Sequence, residues 1–320
     1  MTCPANLNPA VQDDSILEIG EQNYSAGFPA QRAEGPALCA PGSKGCVPPA
    51  WAPAMRAESC NCNFQAKCTA VLIFFACLPA GAAETVRFDT SDGCRLEAFY
   101  QAPSTGAYVF VNAHGLGSGR GEWGVLEAEL KKRGYGYLSL DFRGHGGSLE
   151  CGGVQADYRT FDAAGWSSLS GDIRAAAGFL KTKGIPAEKL LLCGASIGAN
   201  LSLKAVIEGL RPAGVILLSP GLIYAGVGAD DFFKVNLGVP VFIAASRDDD
   251  YSWRSVGYLS ERARISGIKY VFRAGAGGHG VNMLTAEEPP GMIGAIMAWA
   301  KRLKPGSVKR KIGKVNGSAG

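Results

Sequence analysis

At 320 residues, 47% apolar and 19% charged, the chain can form one large domain or two ordinary ones and is too apolar for wholesale disorder. Its 44 glycines follow no three-residue period, which excludes collagen. The formal charge of +4 is unevenly spread: residues 1–83 carry 4 basic and 6 acidic side chains, 84–303 carry 23 and 22, and 304–320 carry 5 and none. A near-neutral body with a short basic tail (Lys304, Lys309, Arg310, Lys311, Lys314) lacks the basic face of a nucleic-acid binder.

Residues 1–54 hold 8 of the 17 prolines and no sustained periodicity, and are read as disordered or as an overextended start that places the true beginning at Met55. Residues 55–83 have the layout of a secretory signal peptide. Arg56 and Lys67 supply the positive region, Cys68 to Leu78 an eleven-residue apolar run, and Ala80-Gly81-Ala82 an A-x-A cleavage site. The run is too short to span a bilayer. Seven of the ten cysteines precede residue 78, but Cys60, Cys62 and Cys68 match no zinc spacing, and no histidine occurs before His114.

From residue 84 the pattern alternates between strand and helix. Two strands, about 84–89 and 95–101, meet at the hairpin signal Ser91-Asp92-Gly93. The runs 108–111, 137–141, 190–193, 215–218, 241–245 and 270–272 are short and continuously apolar, as strands buried on both faces are. Helical stretches near 122–133, 167–183, 198–210, 252–264 and 290–303 separate them. This alternation specifies an α/β domain over 84–303, with a parallel sheet covered by helices on both faces and 304–320 as a flexible tail.

Gly194-Ala195-Ser196-Ile197-Gly198 directly follows one strand and directly precedes a helix. Strand–Gly-x-Ser-x-Gly–helix is the nucleophile elbow, a turn so tight that the serine is strained and its hydroxyl projects above the sheet. A serine nucleophile needs a base, and of the three histidines (His114, His145, His279) only His279 follows Ser196, in a glycine-rich loop after the last strand. The acid that orients the ring is expected at the end of the strand 241–245. Asp248, nearest the strand end, is the first choice; Asp249 or Asp250 are alternatives, and Asp230 or Asp231 form a rival site. The turn His114-Gly115-Leu116-Gly117 exposes backbone N–H groups, so the amides of Leu116 and Ile197 are the expected oxyanion donors. His114 is read as a loop-fixing hydrogen-bonder, and the segment 141–148 containing His145 as structural.

HGLGSGRGEW, LDFRGHGGS, LLCGASIGAN, ASRDDDYS and AGGHG, in that order over about 84–303, resemble the successive motifs of the α/β-hydrolase superfamily. The resemblance implies an eight-stranded, mostly parallel sheet with strand two antiparallel, and a Ser196–Asp248–His279 triad. The link 220–238 is too short for the helical lid of lipases, so a lidless esterase-like member is expected, with 146–166 as the segment able to fold across the site. In that topology Cys94 and Cys151 lie near each other at the carboxyl edge of the sheet, where an oxidising compartment permits a disulfide; Cys193 stays reduced inside its strand.

The expected function is a secreted or periplasmic serine hydrolase that cleaves small-molecule esters of short to medium acyl chain through an acyl-enzyme, without metal or cofactor and without a stable membrane span. A peptidase or thioesterase on the same triad, or a non-catalytic binding module of the same fold, are the alternatives. A serine at the elbow excludes the Asp-nucleophile and Cys-nucleophile relatives.

Overall fold

The computed structural model describes residues 83–303; the expectations for the N-terminal segment, the signal peptide and the basic tail lie outside them. The first two strands, β1 (Glu84–Asp89) and β2 (Cys94–Gln101), pair antiparallel through the turn at Thr90 to Gly93, where Gly93 takes φ +89°. The chain then alternates: β3 (Val109–Ala113), α1 (Gly124–Lys132), β4 (Gly136–Leu140), the two-residue strands β5 (Glu150–Cys151) and β6 (Val154–Gln155), α2 (Ala163–Ser168) and α3 (Ser170–Thr182). Next come β7 (Leu190–Ala195), α4 (Ile197–Ile207), β8 (Gly214–Leu218), the small hairpin β9 (Ile223–Tyr224) and β10 (Val227–Gly228), and α5 (Asp230–Lys234). The last elements are β11 (Val241–Ser246), α6 (Asp250–Ile265), β12 (Tyr270–Gly275) and α7 (Gly291–Arg302).

The sheet order is β12-β11-β8-β7-β3-β4-β2, with β1 on the far side of β2. Strands β4, β3, β7, β8, β11 and β12 are mutually parallel, and β2 runs antiparallel to β4. The eight-stranded frame is therefore present, with strand two antiparallel as expected. The short strand β5 pairs with the first two residues of β2, and β6 pairs with β5.

Why the central runs are continuously apolar is plain along β7. Leu190 and Leu192 enter the core layer that also holds Ile173 and Leu180 of α3 and Leu201 of α4. Leu191 and Cys193 point the other way, into the layer with Leu126 of α1 and Met292 and Trp299 of α7. Side chains alternate faces with period two, so a strand covered by helices on both sides must be apolar at every position. The terminal strand β12 is the exception: Val271 and Phe272 are exposed, because an edge strand has one neighbour and a partly open face.

Cys94 and Cys151 are directly opposed across β2 and β5 and form a disulfide. This bond ties the segment after β4 back to the first hairpin, helped by the Gly152 N–H donated to Gly93 O at 2.9 Å. Cys193 is the free, buried cysteine of the described residues. Among those residues, no helix is long and apolar enough to cross a membrane.

Between β8 and β11 the chain makes the β9–β10 hairpin and the five-residue helix α5, and no longer helix. Ala225 and Gly226 both have positive φ, the geometry of a two-residue hairpin turn. Phe232 and Phe233 of α5 are buried in the core.

Candidate active site

Five chain segments converge where the parallel strands end, the side of an open α/β sheet at which ligands bind. Ser196 lies between β7 and α4 with φ +54°, a conformation that costs a non-glycine residue energy and persists because its surroundings over-determine it. The Ser196 N–H donates to Leu218 O at 2.8 Å, locking the turn onto β8. The flanking glycines are required by close approach. A Cβ on Gly194 would collide with the Gly198 carbonyl, and a Cβ on Gly198 with the carbonyl of Ala113. The hydroxyl-bearing residue is almost enclosed, at 9% exposure.

His279 follows β12 and starts a 3₁₀ turn over Gly280–Leu284. Its Nδ1 lies 2.7 Å from Oδ2 of Asp249, and its side chain is 45% exposed. This corrects the sequence-based choice of Asp248. The Asp248 carboxylate instead accepts the Gly278 N–H at 2.9 Å and supports the loop, one residue short of the ring. The physical reason lies at the start of α6. Asp249 is the helix cap, its other oxygen accepting the Ser252 N–H at 3.4 Å, and the turn into the helix directs that side chain inward. Burial pushes the Asp249 carboxyl up, but the bonds from His279, Ser219 and Ser252 outweigh it and hold it below its ordinary value. Asp250 pairs with Arg254 on the surface, and Asp230 and Asp231 pair with Lys234 at α5, away from His279.

Ser219 was not singled out in the sequence. It has φ +52° at the end of β8, and its hydroxyl accepts the Gly280 N–H at 2.9 Å, pinning the histidine loop. Tyr224, also missed, stands edge-on to the His279 ring with centroids 6.3 Å apart. Its hydroxyl lies 2.9 Å from Ser252 Oγ, and burial raises its phenol above the ordinary value against the opposing effect of Ser252 and Ser196. No local pattern marks either residue, because the β9–β10 hairpin that delivers Tyr224 is only two residues deep.

The loop after β3 runs beside the nucleophile. A Cβ built on Gly115 would sit 3.6 Å from Ser196 Cβ. His114 is fully buried; its Nε2 accepts the Phe142 N–H at 3.0 Å, so Nδ1 carries the hydrogen donated to Gly115 O at 2.7 Å. Burial and the neighbouring His145 push its pKa down to about 3, so the ring stays neutral and fixes the loop. His145 stacks on Tyr158 at 4.0 Å, and its Nδ1–H donates to Arg143 O, 3.0 Å away. Among the described residues no acceptor pairs with the Leu116 N–H, and Ile197 is the first residue of α4, where helical N–H groups lack intrahelical partners. No hydrogen bond joins Ser196 to His279 in this structure, as is common before substrate binds.

A strained serine at a strand–helix elbow, with a histidine–aspartate pair above the same sheet edge, defines a serine hydrolase. Residues 105–245 match the family model described as serine aminopeptidase, S33. Among solved structures, an esterase of Pyrococcus furiosus aligns with TM-score 0.57 and 17% identity, covering 69% of this chain and 91% of that one. An esterase from Exiguobacterium antarcticum aligns at 0.54 and 13%, covering 68% and 100%. An acylaminoacyl peptidase of Pyrococcus horikoshii aligns at 0.54 and 15%, covering 71% and 42%. No curated protein matches the chain in sequence. The chain has the α/β-hydrolase fold, and the family-model match over residues 105–245 agrees with the serine-hydrolase geometry of the site.

Proposed function

We propose that this hydrolase cleaves carboxylic esters of short to medium acyl chain, with Ser196 as nucleophile, His279 as base and Asp249 as the acid that orients His279. The observation that carries the reading is the 2.7 Å pair of His279 and Asp249 above the strained Ser196. Ser196 Oγ attacks the ester carbonyl carbon as His279 Nε2 takes its proton, and Asp249 stabilises the imidazolium through Nδ1–H. The carbonyl oxygen becomes an oxyanion received by the Leu116 and Ile197 N–H groups. Collapse expels the alcohol, which takes the proton from His279 and leaves Ser196 acylated. Water, deprotonated by His279, then attacks the acyl carbon, releasing the acid and restoring the Ser196 hydroxyl.

Three observations support the substrate class. The structural neighbours include proteins described as esterases. The segment between β8 and β11 holds no helix longer than the five residues of α5, and the His279 side chain is 45% exposed. A site without a long covering helix removes less acyl surface from water, at about 0.8 kcal/mol per buried CH₂, so long chains gain little. Ser196→Ala should leave the fold intact and lower hydrolysis of p-nitrophenyl butyrate by several orders of magnitude. Retention of turnover and of fluorophosphonate labelling would overturn the assignment, and a wild-type protein that never labels would indicate a binding module. Specificity constants for butyrate, octanoate and palmitate esters test chain length; a maximum at palmitate overturns it.

Peptide amides are the second reading, favoured by the aminopeptidase description of the matching family model, and belong in the same substrate panel. Export to an oxidising compartment is supported by the Cys94–Cys151 disulfide together with the signal-like residues 55–83. Exported protein should begin near Ala83 or Glu84 by intact mass; a retained 1–54 segment would contradict this.

A further inference from the structure

Glu122 stands in the site without a part in the steps above. It lies in the 3₁₀ turn Arg120–Trp123, held by its own N–H to Gly119 O at 3.2 Å and by the fully buried Trp123 beside it. One carboxylate oxygen accepts the Gly115 N–H at 3.0 Å, and the other accepts the Ser118 hydroxyl. Both donors belong to the loop that approaches Ser196. Because Glu122 engages the Gly115 N–H, the next amide, that of Leu116, is the one left without an acceptor.

We propose that Glu122 is a positioning residue for the reaction: bound to Gly115 N–H and Ser118 Oγ, it holds the oxyanion loop in register with Ser196. This rests on the reading of Ser196, His279 and the Leu116 amide given above. Two donors converge on Glu122, and a carboxylate is the side chain that accepts from both with no donor of its own to misplace. Bonds to an ionised acceptor are about twice as strong as neutral ones, which suits a loop whose amide must be held to a fraction of an ångström.

Burial raises the Glu122 carboxyl, and the bonds from the Ser118 hydroxyl and the Gly115 N–H oppose that rise. A Cβ on Gly115 would lie 3.6 Å from Ser196 Cβ, so the residue whose N–H Glu122 holds is in van der Waals range of the nucleophile.

The experiment compares full-length wild type, Glu122→Gln and Ser118→Ala on p-nitrophenyl butyrate, with kcat, KM and melting temperature. Glu122→Gln should lower kcat about tenfold or more with KM changed less than about twofold, against the 10²–10³ typical of losing an oxyanion donor outright. Ser118→Ala, which removes one of the two donors that Glu122 engages, should lower kcat in the same sense, again with KM changed less than about twofold. Wild-type kcat in Glu122→Gln, or a loss carried by KM with kcat retained, overturns the proposal. If Glu122→Gln does not fold, Ser118→Ala decides, and wild-type kcat there is fatal to it. A wild-type enzyme that neither hydrolyses the ester nor labels at Ser196 would bring down the underlying site reading as well, a result distinct from an active wild type indifferent to Glu122.

Discussion

His279 Nδ1 lies 2.7 Å from Asp249 Oδ2, and the same aspartate caps the helix α6. One carboxylate thus serves the ring through one oxygen and the helix start through the other, which leaves it little rotational freedom. Asp249→Asn should lower kcat/KM about 10³-fold or more by supporting the wrong imidazole tautomer. Asp248→Asn, which loses only an acceptor for the Gly278 N–H, should fall by less than about tenfold. Equal losses on a soluble ester, or the reverse order, would return the acid to Asp248.

Gly198 packs on the backbone of β3, where an added methyl would strike the Ala113 and His114 carbonyls. These are backbone atoms and cannot rotate away. Gly198→Ala should therefore cost about 3 kcal/mol or more, at the upper end of overpacking penalties. Chemical denaturation measures this directly, and an unchanged midpoint would mean that the elbow can shift.

The Cys94–Cys151 bond closes a loop with a sequence separation of 57. In the chain-entropy model that is about 4 kcal/mol of stability. Cys94→Ser/Cys151→Ser should lose most of it, read as a lower urea midpoint, and wild type in reductant should fall to the same value. Indifference to reductant would show that the bond is not formed in the isolated protein.

Arg143 bridges the first hairpin and α3, gripping Asp92 at 2.5 Å and Asp172 at 2.6 Å. The bond from Arg143 holds the Asp92 carboxyl down to about 2, from an ordinary 3.8. A lowered value in the folded state means that the contribution is present above pH 3.8 and disappears as pH falls through about 2. The urea midpoint should therefore drop between pH 4 and pH 2, and Asp92→Asn should flatten that part of the profile. An identical slope in the variant would assign the acid sensitivity elsewhere.

The alternation of strands and helices, the elbow at Ser196 and the choice of His279 were legible in the residues themselves. A doubly covered strand has to be apolar at every position, Gly194 and Gly198 are demanded by backbone contact, and few histidines compete. Such constraints fix the residue type at every position of a short stretch, so they leave a local mark. The carboxylate that pairs with His279 left none, since three consecutive aspartates are equivalent until the first turn of α6 aims one of them at a loop 30 residues further on. Ser219 and Tyr224 were hidden for the same reason: each acts on a partner delivered by another strand end, and only the packed sheet brings those ends together.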